Sequence, residues 1–285
     1  MSDFRNAQYY DEYFSGYPDN LELKPVADYF RQFDCPPQSL EFMVGDLLRA
    51  SLDEVIDMPR TGRFSLEQLE KTEKTYIGTK VEIVFRAAFN LPKGAKLDLQ
   101  VDGVEVDVKN TIGGTWTIPQ EALGEVCVLL QEDDNRSAFN FGLLLCRDRV
   151  LNVGRNRDGK RSVSSQGKNE ILWLVRNGAL PPNFFLRMPV DQRERILSGA
   201  GGARRLADLF RTFQGEVISR RLVECLAQQR DYMKRIRGNG GARDILLKEG
   251  LVILWGGKTD DRATLTRMGY KGINGEHFVC LPLPT

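Results

Sequence analysis

The stretch Lys96 to Lys109, KLDLQVDGVEVDVK, concentrates the residues of this chain best suited to chemistry. Asp98, Asp107 and Lys109 are its reactive members. Carboxylates held close together repel and raise each other's pKa unless a cation intervenes. Their hard oxygen donors suit Mg²⁺, which keeps several waters and takes further ligands from phosphate. Such an ion polarises a phosphodiester and lowers the pKa of a bound water. Lys109 can orient or activate that water and stabilise charge developing on phosphate.

The elements around these residues must bring them together. Asp102-Gly103 between two alternating runs signals a two-residue hairpin of type I′. Counting outwards pairs Val101 with Val104, Gln100 with Glu105, Leu99 with Val106 and Asp98 with Asp107. One face then carries Leu97, Leu99, Val101, Val104, Val106 and Val108; the other carries Lys96, Asp98, Gln100, Glu105, Asp107 and Lys109. Two carboxylates directly opposite each other destabilise a sheet, and a divalent cation removes the conflict. The competing reading is an amphipathic hairpin with a solvated polar face, because Asp-x-Lys triplets are common. Glu82 lies on a helical segment over 64–90, with Ser65 as N-cap and Leu66, Leu69, Ile77, Val81 and Val84 as its apolar positions. From there it can reach the metal sideways; taken alone it is an ordinary surface residue.

Residues 1–63 read as helical and irregular. After the 64–90 helix come the β-type runs AKLDLQV, VEVDVKNT, EVCVLLQE and FNFGLLLCR, then a loop over 154–162. Helices and strands in this order imply an α/β or α+β domain with a mixed sheet flanked by helices. The expected domain spans 1–174, with a linker over 175–182 ending at Leu180-Pro181-Pro182. Beyond it, 203–213, 217–228 and 230–237 read as three successive helices, and a further helix and strand follow the break at Gly238–Gly241. That order suggests a winged helix-turn-helix over 183–285, a unit that places one helix in the major groove.

Composition narrows the chemistry. The 285 residues are 41% hydrophobic and 28% charged, as in a globular protein. No apolar run approaches the roughly 20 residues that span a bilayer. The N-terminal stretch lacks a basic segment followed by an apolar one, so no signal peptide is expected. The five cysteines include no CxxC pair, which argues against a zinc ribbon or disulfide framework and suits a reducing cytoplasm. His277 is the single histidine, which excludes chemistry built on paired histidines, and no GxSxG elbow accompanies it. Hydrolysis here must rest on carboxylates, lysine and a hard metal ion.

The net charge of +1 conceals an asymmetry. Residues 1–174 hold 21 Lys/Arg against 28 Asp/Glu, whereas 175–285 hold 19 against 11. The basic part implies a polyanionic partner. Within it, 204–243 carries ten Lys/Arg against four Asp/Glu. Arg204 and Arg205 lie near the first helix there, and Arg220, Arg221, Lys234, Arg235 and Arg237 near the next two. Phosphate contacts suit most of them, with one or two reading guanine edges; a solvated basic face is the alternative. Asn156, Arg157, Lys160 and Arg161 lie in the 154–162 loop, which either enters a groove and reads bases or is a surface turn.

The segment RTGRFSLEQLEKTEKTYIGTKVEI, the spacing Asp98…Asp107-Val-Lys109, GGTWTIPQEALGEVCVLL followed by NRDGK, and AQQRDYMKRIRGNGGAR together resemble the NaeI-type restriction endonucleases, members of the PD-(D/E)xK nuclease superfamily. The resemblance spans roughly residues 40–280. It implies that Asp98, Asp107 and Glu82 bind Mg²⁺ and that Lys109 is the catalytic lysine. It also implies a homodimer in a prokaryotic cytoplasm that cuts a GC-rich palindrome in double-stranded DNA. A C-terminal domain with a helix-turn-helix like that of the catabolite activator protein would bind a second copy of the target and activate cleavage. Leu97 stands where the superfamily's name has proline. A winged-helix regulator with an inactive nuclease-like half and a repair nuclease that recognises DNA structure remain the alternatives.

Overall fold

The computed structural model describes residues 7–34, 39–198, 201–228 and 231–283. Along the chain the helices are α1 (Ala7–Gly16), α2 (Lys24–Arg31), α3 (Leu40–Ile56), α4 (Met58–Thr61), α5 (Lys71–Ala88), α6 (Ser165–Asn169), α7 (Phe184–Arg187), α8 (Val190–Ser198), α9 (Gly202–Thr212), α10 (Arg220–Ala227), α11 (Met233–Ile236), α12 (Ala242–Leu247) and α13 (Thr259–Arg267). The strands are β1 (Leu99–Val101), β2 (Val104–Thr111), β3 (Thr117–Ile118), β4 (Val126–Asp133), β5 (Ala138–Leu145), β6 (Leu151–Arg155), β7 (Arg161–Val163), β8 (Leu172–Ala179), β9 (Val217–Ser219), β10 (Leu251–Trp255) and β11 (His277–Pro282). The chain divides into two compact units: residues up to 55 with 66–183, and 56–65 with 184 onwards. The segment 56–65, counted with the first part from the sequence, belongs with the second unit, where Phe64 meets Phe185 and the Arg193 guanidinium lies 4.2 Å from the Phe64 ring centre.

The first unit is a five-stranded mixed sheet, β1-β2-β4-β5-β8. β2 and β4 run parallel, and the other neighbours are antiparallel. Register sorts the side chains into two faces, because directly paired residues share a face. Val106, Val126 and Leu145 align across β2, β4 and β5, as do Val108, Val128 and Leu143, and Asn110, Leu130 and Phe141. This face meets helices: Phe141 packs edge-on to Phe30 of α2 and Phe85 of α5. The opposite face carries Asp107 beside Cys127 and Leu144, and Lys109 beside Leu129. There Cys127, Leu129 and Leu144 form a core with Trp116, Ile118, Val150, Leu151 and Val163, from the small sheet β3-β7-β6 and its connections.

Three local expectations are corrected here. The helix expected over 64–90 begins at Lys71: residues 66–68 are a single 3₁₀ turn, and the N-cap is Glu70, whose N–H donates to Glu73 Oε2 at 2.9 Å, not Ser65. The expected linker 175–182 is largely strand β8, which continues through the apolar run at Leu172–Val175 and pairs Ala179 with Ala138 before the prolines. Leu97 leaves the apolar reverse face and joins the core on the Asp107 side. The chain bends before β1, held by Glu105, which accepts from the N–H groups of Ala95, Lys96 and Leu97.

In the second unit, α9 packs with α8, α10 and α12, and the antiparallel sheet has the order β10-β11-β9. The helix expected over 217–228 is preceded by strand β9. The β-branched pair Val217-Ile218 joins β11, and Ser219 then caps α10 by accepting from Leu222 N–H at 3.3 Å. The helix expected over 230–237 shortens to one turn, α11; Arg230, its expected start, lies outside the described residues. Arg205 ties α9 to the end of α10 by donating to Leu226 O at 2.7 Å. No helix among the described residues is long and apolar enough to cross a membrane.

Candidate active site

The hairpin that carries the reactive residues forms with the expected register: Val101 pairs with Val104, Gln100 with Glu105 and Leu99 with Val106. Asp102 and Gly103 hold the positive φ values, 47° and 81°, that a two-residue turn of this hand demands. The tight turn places Asp98, just before β1, against the middle of β2. Asp98 Oδ2 accepts from Val108 N–H at 2.8 Å, which fixes that carboxylate at the strand edge.

Asp107 is 3% exposed, so this is not the solvated polar face of the competing reading. Lys109 Nζ lies 2.7 Å from Asp107 Oδ2 and 3.7 Å from Asp98 Oδ2, bridging the two carboxylates. It also donates to Val108 O at 3.1 Å. Burial pushes the Asp107 carboxyl up to about 6; Lys109 opposes that shift and Asp98 adds to it. Burial alone would lower the Lys109 pKa, but Asp107 and Asp98 more than offset it and keep the ammonium charged. The Cys127 thiol, 3.9 Å from Asp107 Oδ2, is raised by its hydrogen bond with Cys146 and by burial, which makes it an inert neighbour and not a nucleophile.

Glu82 projects from α5, half-buried. Burial, then the Asp98 charge, raises its carboxyl, while Lys109, Arg86 and Lys93 pull the other way. Among the described residues no three His, Cys, Asp or Glu side chains gather as a metal cluster, while Glu82 lies within the field of Asp98 and Lys109. The donor set still suits a magnesium-type ion. Asp98, just before β1, and Asp107, in β2, offer hard oxygens side by side, the second of them buried and paired with Lys109. Mg²⁺ characteristically takes one or two carboxylates and leaves its other positions to water and phosphate.

The residues singled out for DNA contact sort into two groups. In the ribbon β6–β7, Asn156 Oδ1 accepts from Asp158 N–H and Lys160 N–H, closing the turn. Arg161 donates to Asn152 O at 2.8 Å and pairs with Asp148, so it is held by the protein. Arg157 is exposed and Lys160 half-buried. In the second unit Arg220 bonds Glu224 at 2.9 Å and Glu276 at 3.1 Å, with its guanidinium 5.1 Å from the Tyr232 ring centre. Arg221 and Arg235 are half-buried, and Lys234 and Arg237 are exposed. His277 is 3% exposed on β11, and its Nδ1 accepts from Asn274 N–H at 3.3 Å, a structural role.

Sequence reasoning missed a buried polar network on the other face of the sheet. Arg49 of α3 pairs with Asp53 and Asp134, and Asn183 Nδ2 donates to Asp134 at 3.1 Å. Beside it, Glu132 and Asn110 bury polar atoms with no hydrogen-bond partner among the described residues. No sequence signal could link Arg49 to Asp134, because only folding joins them.

The family model described as restriction endonuclease NaeI matches residues 26–282 of the chain. Over 216 residues the chain is 38% identical to a type II restriction enzyme NaeI from Lentzea aerocolonigenes, which covers 73% of this chain and 68% of that protein.

Proposed function

The chain belongs to the NaeI restriction endonuclease family, and from that premise we propose that it is a Mg²⁺-dependent type II site-specific deoxyribonuclease acting on double-stranded DNA. The observation that carries this reading is the group Asp98, Asp107 and Lys109, two carboxylates bridged by a lysine on one sheet face. A divalent ion held by Asp98 and Asp107, with Glu82 at its margin, would polarise the phosphodiester and lower the pKa of the attacking water. Lys109 orients that water and stabilises the negative charge gathering on phosphate. Attack in line forms the new P–O bond as the P–O3′ bond breaks, leaving 5′-phosphate and 3′-hydroxyl ends. Asp98 is positioned for its part by Val108 N–H, and Asp107 by the burial that keeps it from competing waters.

We assign the second unit to a winged helix-turn-helix that binds a second DNA site as activator. Support comes from its order: α9, β9, α10, then α12, β10 and β11, with β11 between β9 and β10. Lys234 and Arg237, exposed, and Arg221 and Arg235, half-buried, are the basic residues proposed to meet phosphate there; Arg220, engaged with Glu224 and Glu276, orders the helix start. The working particle is proposed to be a homodimer in the prokaryotic cytoplasm, since a palindrome presents two equivalent strands.

The test is digestion of a sequenced plasmid with Mg²⁺ and mapping of the ends. Discrete fragments with 5′-phosphate termini are expected, and Lys109→Ala should bind the same DNA while its cleavage rate drops by about 10²–10⁴. Random smearing, preference for branched or mismatched DNA, or full activity in Asp107→Ala would sink the proposal.

A further inference from the structure

We propose that the β6–β7 ribbon is a DNA-reading arm, with Val153, Arg155 and Arg157 entering the major groove beside the scissile phosphate. This rests on the reading of the chain as a DNA endonuclease and names the part of it that discriminates sequence.

Three observations converge. The first is placement. Leu151 and Val163, at the root of the ribbon, pack in the core that includes Cys127 and Leu129, the residues paired with Asp107 and Lys109. The ribbon therefore springs from the layer covering the catalytic face. A duplex that presents a phosphate to Lys109 on that face lies alongside it.

The second is shape. Pairing passes from Leu151–Val163 to Arg155–Arg161, so β6 advances four residues while β7 advances two. The excess falls between Leu151 and Arg155, where Val153 is 92% exposed. Bulges of this kind re-aim side chains beside active sites. A bare valine on β6, the edge strand of the β3-β7-β6 sheet, has no folding role, whereas in the major groove an apolar side chain meets the thymine methyl.

The third is charge and its division of labour. Arg155, Arg157 and Lys160 face one acid, Asp158, at the tip. Arg155 makes one long hydrogen bond, to Gln120 at 3.4 Å, and Arg157 is exposed. Arg161 and Asn156, by contrast, are consumed in building the arm. The Arg155 and Arg157 guanidiniums, exposed on the arm, are of the type that reads guanine edges bidentately.

The experiment compares wild type with Arg155→Ala, Arg157→Ala and Val153→Ser. It measures cleavage rates at the mapped site and at sites changed by one base pair, affinity for unrelated DNA, and oligomeric state by sedimentation. Because these side chains are exposed, melting temperatures should match wild type. At least one arginine variant should lose roughly 5- to 150-fold in the ratio of cognate to altered-site cleavage, with affinity for unrelated DNA changed much less. An unchanged ratio in all three would overturn the proposal. So would an equal loss at every sequence, which marks phosphate contact alone, or dissociation of an oligomer with discrimination intact, which marks contact with a second copy. A wild-type protein that neither binds nor cuts DNA would bring down the endonuclease reading, and the arm with it.

Discussion

Replacing Glu132 by Gln should stabilise the protein, and by more as pH rises. Glu132 lies on β4 at 1% exposure, and neither carboxylate oxygen has a hydrogen-bond partner among the described residues. Burial pushes its carboxyl from 4.5 up to about 8; the Asn110 amide and the Arg49 guanidinium oppose the shift, and Asp134 adds to it. Between those two values the folded protein holds a proton that the unfolded chain has released. Stability therefore falls as pH rises across that window, by about 1.4 kcal/mol per pH unit, and levels off above it. The penalty is about 1 kcal/mol at pH 5, about 3 at pH 7 and about 5 at pH 9. Gln mimics the neutral carboxyl without the proton, and its amide can donate to Asn110 Oδ1, itself buried and unpartnered. Urea unfolding of both proteins at pH 5, 7 and 9 measures the difference. It should grow by about 4 kcal/mol from the lowest pH to the highest. A pH-independent difference, or a wild type that gains on the variant as pH rises, would show that Glu132 is ionised in the fold and refute the reasoning.

Further outcomes follow from the same contacts. Arg49→Met strands Asp134, 6% exposed, without its main cation, and should destabilise the protein by about 3–5 kcal/mol in denaturant unfolding. Gly103→Ala introduces a Cβ that meets no atom within 4 Å, so its loss of about 1–2 kcal/mol should come from the positive φ alone. Ser219→Ala removes the α10 cap and should lower stability by about 1 kcal/mol, read as a midpoint shift at constant slope.

The hairpin was legible because every signal for it is local. A turn that needs two positive φ values selects Asp-Gly, and strand alternation then fixes which residues share a face. The same logic failed two residues beyond the pairing: at Leu97 the chain follows the Glu105 hydrogen bonds, and alternation stops being a guide. Helix starts shifted for a similar reason. Ser65 and Val217 lie where helical periodicity begins on paper, but a 3₁₀ turn and a strand pairing with β11 compete there and win. The loop 154–162 was seen as basic, but its sequence does not reveal that Arg161 is spent on Asp148 and Asn152.

By itself, then, the amino-acid order determined the cluster proposed as the active site: Asp98, Asp107 and Lys109 come together through one turn and a few residues of strand, interactions short enough to read from spacing. Only the tertiary structure decided that Asp107 is buried and not solvated, that burial and the Asp98 charge raise the Glu82 carboxyl, and that Arg49 meets Asp134 behind the sheet. Those outcomes depend on which layers cover each face of the sheet. Burial and the pKa shifts it causes arise from distant segments packing together, and spacing along the chain carries no measure of that.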